Sequence, residues 1–182
     1  MAYKNQIIEH PVLGNRIRFL NTSEETKGEF LKYEGSAKIG ALPPPEHFHP
    51  AQTETFYILD GEVTFKIDGK EVIAKSGDTL SVPPNVRHTF QQTGTKELLM
   101  QVEFRPALRT EFFLETFFAI GHQGKARKSG LPKNFLQFAA IMNEFRGLQI
   151  IVGPPIFMQS FIAIVIGGLA KAIGYKGYIP YD

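Results

Sequence analysis

The chain has 182 residues, a formal net charge of +2 and no cysteine. This length fits one domain, or one domain with an appendage, and argues against two full domains. The lack of cysteine excludes disulfides, thiolate zinc sites and cysteine nucleophiles, and the small charge, with no basic run interleaved with aromatics, argues against nucleic-acid binding. Residues 1–14 lack the apolar stretch of a signal peptide, so we expect a cytoplasmic protein.

The first part of the chain alternates short β-branched and aromatic runs with turn dipeptides. Asp60-Gly61 and Asp68-Gly69 each stand between two such runs, where a type I′ turn needs residues that tolerate positive φ, so both are predicted to form hairpins. Many short strands at spacings of about ten residues are typical of a sandwich or a barrel, and edge protection favours a closed barrel. The predicted strands are TETFYIL, EVTFKI, KEVIA, DTLSV, RHTFQQ and ELLMQVEF.

Two histidines, His47 and His49, stand one residue apart in an extended stretch. Side chains at i and i+2 of a strand point to the same face, so both imidazoles are expected to face one space. On the next predicted strand, Glu54 shares a face with Phe56 and Ile58, which identifies that face as the interior. The sequence therefore predicts a carboxylate that points into a hydrophobic barrel beside two imidazoles.

A further histidine, His88, alternates with Phe90 and Gln92 on a later strand and can also point inward. A buried carboxylate near imidazoles is costly unless it has a partner, and a divalent cation is a suitable one. Three neutral imidazoles and one carboxylate suit iron, manganese, nickel, copper or zinc better than magnesium or calcium. Glu54 could instead leave the metal and act as a general base.

These residues resemble the two sequence motifs of the cupin superfamily. The first motif, G(x)5HxH(x)3,4E(x)6G, is matched with one extra residue in its first gap, and the second, G(x)5PxG(x)2H(x)3N, is matched with Asn85 in place of its second glycine and Gln92 in place of its asparagine. Asn tolerates the left-handed conformation that glycine supplies. The matching positions are Gly40, His47, His49, Glu54 and Gly61, followed by Gly77, Pro83 and His88.

The resemblance covers about half of the chain, from near Gly28 to Phe104. It implies an antiparallel β-barrel of the jelly-roll type, with a metal held by His47, His49, Glu54 and His88. It does not imply one reaction, because cupins include dioxygenases, isomerases, decarboxylases, storage proteins and sugar-binding regulators. It also implies a homodimer, since cupins commonly dimerise.

The barrel interior suggests a substrate that is largely apolar with one polar, chelating end. Gln92 and Gln101 are candidate polar substrate contacts, and Phe56 and Phe90 are candidate apolar ones. The alternative is that the aromatic residues are simply core. His10 and His122 lie outside both motifs and are expected to be surface residues.

The second part of the chain differs in charge and in periodicity. Residues 1–104 carry 11 basic and 14 acidic residues, whereas residues 105–182 carry 9 basic and 4 acidic ones. Two amphipathic helices are predicted, one with Thr110 as N-cap and Gly121 as its end, and one within residues 131–147. We therefore expect a cupin barrel domain over residues 1–106 and a helical extension over residues 107–182 that packs on the barrel or on a partner subunit.

The last predicted helix, from Pro155 to Ile173, is nearly long enough to span a bilayer. Its small and weakly polar residues gather on one side, and bulky apolar residues fill the remainder. This pattern suits packing or an oligomer contact first, peripheral membrane contact through residues 150–174 second, and a true span last.

Two functions from different classes remain open. The first is a small metal-dependent enzyme, dioxygenase-like or isomerase-like, that acts on a small organic molecule. The second is a non-catalytic binding or sensing module with a hydrophobic helical tail for partner or membrane contact. The intact set of four candidate ligands favours the enzyme.

Overall fold

A computed structural model of the chain describes residues 2–181. The alternating runs fold into antiparallel strands that form two sheets packed face to face, and helices follow them on the C-terminal side. The strands are β1 (Ile7–His10), β2 (Asn15–Asn21), β3 (Leu31–Ala37), β4 (His47–Phe48), β5 (Thr53–Asp60), β6 (Glu62–Ile67), β7 (Lys70–Lys75), β8 (Thr79–Val82), β9 (His88–Gln92), β10 (Leu98–Arg105) and β11 (Ile150–Ile151).

The larger sheet has the strand order β1-β2-β3-β10-β5-β8, and the smaller sheet has the order β11-β4-β9-β6-β7. Strands β3, β5 and β10 alternate buried and partly exposed residues, as expected when one face of a sheet covers a core. The core between the sheets includes Phe56, Val63 and Phe65, none of which is exposed to solvent. The predicted jelly-roll barrel and its six strands, β5 to β10, are confirmed.

The two predicted hairpins have different outcomes. Asp68 and Gly69 form the two-residue turn between β6 and β7, with φ of 46° and 81°, so this hairpin is confirmed. The hairpin at Asp60-Gly61 is wrong, because β5 pairs with β10 and β8 whereas β6 pairs with β9 and β7. The chain crosses between the sheets there, and Gly61 (φ 88°) passes close to the backbone of Glu97.

The first helix, α1 (Thr110–His122), packs against β1. Its N-cap is Arg109, and not Thr110 as the sequence had predicted. The Thr110 hydroxyl accepts a 2.8 Å hydrogen bond from the Gln52 amide. The helix does not end at Gly121, where a Cβ atom would lie 2.5 Å from the ring of His10. Gly121 is therefore a close-packing residue, and His10 is fully buried, so its prediction as a surface residue was wrong. His122 is exposed, as predicted.

The second helix, α2 (Phe135–Glu144), begins at Asn134, whose side chain accepts a hydrogen bond from the backbone N–H of Gln137. The last helical stretch comprises α3 (Ile156–Phe161), a π-helical segment (Ile162–Ile166) and α4 (Gly167–Ala172). It lies against α2. Within residues 2–181, none of the helices combines the length and apolar character needed to cross a membrane.

Candidate metal centre

Four side chains converge between the two sheets: His47, His49, Glu54 and His88. One candidate ligand atom from each lies within 4.8 Å of those of the other three. His88 Nε2 is 2.8 Å from Glu54 Oε2, and His49 Nε2 is 3.3 Å from the same oxygen. The four residues that the sequence predicted as metal ligands are therefore brought together.

Strand pairing explains how residues far apart in the chain meet. His47 on β4 is directly opposite His88 on the neighbouring strand β9, and their ring centroids are 4.6 Å apart. His49 lies two residues after His47, which returns its ring to the same side. Glu54 projects from β5 in the facing sheet, where it is 4% exposed and sits on the buried face of that strand.

The outer nitrogen of each imidazole is held by a backbone carbonyl. His47 Nδ1 lies 2.7 Å from the oxygen of Pro45, and His88 Nδ1 lies 3.0 Å from that of Val86. His49 Nδ1 lies 3.0 Å from the oxygen of Leu148. A carbonyl can only accept, so each Nδ1 donates. A ring that carries no second proton then presents an unprotonated Nε2 to the centre, which is the form in which histidine binds metals.

The Leu148 carbonyl belongs to the helical extension and was not predicted from the sequence. It is held in place because β11, which begins at Ile150, adds to the edge of β4 beside His47. The backbone N–H of Val152 also donates a 2.8 Å hydrogen bond to the oxygen of Glu46. The extension therefore takes part in orienting one of the four candidate ligands.

Burial and mutual contact shift the pKa values of these groups. Burial alone would raise the pKa of Glu54, but contact with the rings of His49 and His88 outweighs it and lowers the pKa to about 2. Burial lowers the pKa of His47 to about 4, against the attraction of Glu54. For His88, burial is outweighed by the hydrogen bond to Glu54, so its pKa is raised. A proton on His88 must therefore leave when a cation binds.

The lowered pKa of His47 predicts a loss of stability in acid for the metal-free protein. An unfolded histidine takes up its proton near pH 6.5, whereas folded His47 does so only near pH 4. The unfolded state binds more protons than the folded state between pH 6.5 and pH 4. The contribution of neutral His47 to the free energy of unfolding is therefore complete above pH 6.5 and is lost as the pH falls toward 4. The loss is at most about 3 kcal/mol.

The measurement is urea unfolding of metal-free protein between pH 7 and pH 4. The variant His47→Gln should show a smaller loss of stability than the wild type, and His122→Gln, at an exposed position, should match the wild type. The raised pKa of His88 affects stability only above pH 6.5, where its stabilising contribution is lost as the pH rises. The lowered pKa of Glu54 affects stability only below pH 4.5. Equal slopes for wild type and His47→Gln would contradict the prediction.

A cavity of about 370 Å³ opens beside the four candidate ligands. His47, His49 and Glu54 form part of its wall, and most of the remainder is apolar. The barrel supplies one side, and α1, α2 and the last helix supply the other. The aromatic residues that line it include Tyr33, Phe104, Phe113, Phe117, Phe138 and Phe145.

Of the four residues predicted as substrate contacts, one lines the cavity and three do not. Phe90 lines the cavity, but Phe56 is fully buried in the core, where it packs against Phe65 and Phe90. Gln92 does not line the cavity, because its amide donates 2.7 Å hydrogen bonds to the carbonyls of Gly94 and Lys96. Gln101 alternates with the buried residues of β10 and so points away from the interior.

The aromatic wall contributed by the extension was missed as part of the site, although the helices themselves were predicted. Tyr33 was also missed, because β3 was not among the predicted strands. Burial, with a smaller effect of Glu54, raises the pKa of Tyr33, so its phenol stays protonated and can donate a hydrogen bond. Aromatic helix faces of this kind are more often plain core, so the sequence held no signal that marked them as cavity lining.

The donor set fits a divalent transition metal. Imidazole nitrogens and a carboxylate oxygen suit iron, manganese, nickel, copper and zinc. Within residues 2–181, the buried His49 Nε2 has only its 3.3 Å contact with Glu54, which falls short of hydrogen-bond geometry, and a metal would satisfy it. The left-handed turn expected before His88 is also present, with Asn85 at φ 65°.

Residues 37–103 match the family model described as the cupin domain. Quercetin 2,3-dioxygenase of Bacillus subtilis is 32% identical over 97 residues, which are 51% of this chain and 28% of that protein. The probable oxidoreductase yanE of Aspergillus niger is 29% identical over 171 residues, 86% of this chain and 62% of that protein. The chain thus spans less than two thirds of either relative.

Among solved structures, an RmlC-like cupin from Shewanella frigidimarina superposes with a TM-score of 0.50 at 21% identity, over 59% of this chain and 88% of that one. At this identity the likeness concerns the fold alone. The matched family model spans the strands that carry all four candidate ligands, and the solved relative shares the barrel. On its sequence motifs and its match to the family model, the chain contains a cupin domain that spans residues 37–103.

Proposed function

We propose that this cupin is a small metal-dependent enzyme, of oxidoreductase type, that acts on a small and largely apolar organic substrate. The observation that carries the proposal is the position of His47, His49 and Glu54 in the wall of a largely apolar cavity. A cavity of about 370 Å³ lies within the range that small-molecule sites occupy. The metal site and the space for a substrate are thus adjacent.

The proposed ligands are His47, His49, Glu54 and His88. A divalent transition metal bound by them would supply Lewis-acid chemistry or, if redox-active, oxygen activation. One carboxylate against a divalent cation leaves a net positive charge at the end of the cavity. An anionic chelating group on the substrate, such as an enolate or a keto acid, would be attracted to it.

The chain's own residues would orient the substrate and exclude water. The phenol of Tyr33 stays protonated beside Glu54 and can donate a hydrogen bond to a polar substrate atom. Phe113, Phe117 and Phe145 cover the opposite side with apolar surface. Phe90 can contact an apolar part of the substrate from the barrel side.

Dioxygenase-like chemistry is the form that the relatives support, since one of them is a quercetin 2,3-dioxygenase and another a probable oxidoreductase. Isomerase-like chemistry would use the same ligands with a metal that is not redox-active. We further propose that the protein is a cytoplasmic homodimer made of a cupin barrel domain over residues 1–106 and a helical extension over residues 107–182. Peripheral membrane contact through residues 150–174 is the alternative.

A binding or sensing module is a second candidate function. The observation in its favour is that the extension both lines the cavity and holds His49 through the Leu148 carbonyl. A ligand in the cavity would touch the barrel and the extension together, so its binding could shift the helices. Such a module would hold its ligand unchanged.

The first test is elemental analysis by mass spectrometry on untagged protein purified without added metal. We expect near-stoichiometric iron, manganese, nickel, copper or zinc in the wild type and none in His47→Ala, because three remaining ligands hold a metal more weakly. His122→Ala, which changes an exposed histidine outside the cluster, should retain the metal. Retention of metal in His47→Ala would overturn the proposed ligand set.

The second test measures oxygen consumption by metal-loaded protein with a panel of small aromatic enols and keto acids. Turnover that is lost in His47→Ala and kept in His122→Ala would support the enzyme. Tight binding of a panel member without any change in it, in protein that carries its metal, would favour the binding module. Absence of metal in the wild type, even after reconstitution, would overturn the enzyme proposal.

A further inference from the structure

The last helical stretch presents an apolar ridge to solvent. Five residues at intervals of four, each 43–78% exposed, define this ridge: Phe157, Phe161, Val165, Leu169 and Ile173. The chain has no charged residue from Gly147 to Ala170. A surface helix normally turns such a face toward the core.

The helix cannot bury the ridge by rotating, because its opposite side is already closely packed on α2. Ala163 and Ala170 are buried, and a Cβ atom on Gly167 would collide with the carbonyl oxygen of Ala139. The side chain of Asn143 on α2 also donates a 3.0 Å hydrogen bond to the oxygen of Ala163 in the π-helical segment. The small-residue side thus faces the protein, and the ridge needs another partner.

The exposed apolar area is on the scale of a protein interface. Eight large apolar side chains of this stretch, those of the ridge and three beside it, are 41–78% exposed. They present on the order of 900 Å², taking about 200 Å² for each when fully exposed. The largest patch on a typical monomer is about 300–600 Å², whereas each partner in a standard interface buries about 800 Å².

The charges around the ridge favour a second copy over an anionic membrane. The charged residue on this helix, Lys171, is paired with Glu144 at 2.6 Å, and Glu144 also binds Arg109 at 2.7 Å. This lysine is engaged within the molecule, so an anionic lipid would have to compete for it. An uncharged ridge on a copy of itself brings no like charges together.

We propose that the ridge is the interface of a homodimer in which the last helix packs antiparallel on the same helix of a second copy. A two-fold axis makes such a contact self-complementary. Val165 is the middle residue of the ridge and would lie on the axis, and Phe157 would lie opposite Ile173 of the second copy. Phe157 and Ile173 are about 24 Å apart along the helix.

The first experiment is analytical ultracentrifugation of the metal-loaded full chain across a range of concentrations. We expect a dimer for the wild type, and for Leu169→Glu a dissociation constant raised by about 100-fold or more, since the new carboxylates would be buried at the interface. The control Ile73→Glu changes an equally exposed residue, on β7, and should leave the dimer intact. Unchanged metal content in Leu169→Glu would show that the fold and the proposed metal site are intact.

The second experiment uses the lack of native cysteine, which makes single-cysteine cross-linking specific. With a short bismaleimide, Val165→Cys should form a covalent dimer, and Phe157→Cys alone should not. A mixture of Phe157→Cys and Ile173→Cys chains should cross-link to each other. Cross-linking of Phe157→Cys to itself would overturn the antiparallel arrangement.

A monomeric wild type at high micromolar concentration would overturn the proposal, as would a dimer that persists in Leu169→Glu. The proposal would also be overturned if monomeric protein co-sedimented with anionic vesicles, because the ridge would then have a lipid partner. Loss of the dimer with retained turnover would leave the proposed metal chemistry untouched. The two proposals therefore fail independently.

Discussion

The substitution His88→Ala is expected to lower metal affinity by at least about 100-fold and to destabilise the metal-free protein by about 3 kcal/mol. The first effect follows from the loss of one of four ligands. The second follows because Glu54 is almost fully buried and its shortest contact is the 2.8 Å bond to His88. Without that partner, a carboxylate whose pKa is now about 2 would be left with the His49 ring alone. Competition with a chelator measures the affinity, and urea unfolding measures the stability.

A double substitution separates the two effects. In Glu54→Leu/His88→Leu the unpaired charge is removed together with its partner, so most of the lost stability should return while metal binding stays absent. A single variant that binds no metal yet unfolds like the wild type would contradict the assigned ion pair. A double variant less stable than His88→Ala would show that the pair is more favourable than an apolar replacement.

The substitution Gly167→Ala should destabilise the protein by about 2 kcal/mol, despite the better helix propensity of alanine. Gly167 packs closely on α2, where an added Cβ atom would meet the carbonyl oxygen of Ala139 and lie 2.7 Å from the Cβ atom of Asn143. Because Phe138 on α2 lines the cavity, the shift should also weaken binding of the proposed substrate. Urea unfolding and ligand titration measure the two effects.

The neighbouring residue provides a matched control. Within residues 2–181, no atom outside the local helix backbone and the two neighbouring residues lies within 4 Å of a Cβ atom added at Gly168. Gly168→Ala should therefore stabilise the protein by up to about 1 kcal/mol through helix propensity alone. The two variants differ by one position in the same helix. Equal stability of Gly167→Ala and Gly168→Ala would mean that the helices can separate at no cost and that the close contact has no energetic role.

The candidate ligands could be predicted because local rules determine where their side chains point. The period of two places His47 with His49, and the apolar companions of Glu54 identify the inner face. Asn85 could likewise be predicted to replace a glycine, since its φ of 65° is one that asparagine tolerates. These features depend on residue type and on short spacings, which a single sequence displays.

The features that could not be predicted depend on long-range pairing. Asp60-Gly61 has the residues of a hairpin turn. However, β10 pairs with β5 at the place that β6 would take in a hairpin, so the chain crosses to the other sheet. The link from Leu148 to His49 uses a backbone carbonyl, which every residue type carries. Gln101 has the chemistry of a substrate contact, but its place in the alternation of β10 turns it outward.

The candidate metal ligands and most of the aromatic cavity wall come from different parts of the chain, which affects how this protein could diversify. The candidate ligands come from residues 47–88, whereas most of the aromatic residues in the cavity wall come from residues 113–145, a separate stretch of chain. Changes in that stretch can alter which molecules fit while the proposed metal site, including the Leu148 carbonyl that holds His49, stays unchanged. Proteins descended from one ancestral chain could therefore come to differ in substrate through substitutions in these helices. The helix sequences would then distinguish such proteins by substrate, whereas the shared ligand motif would not.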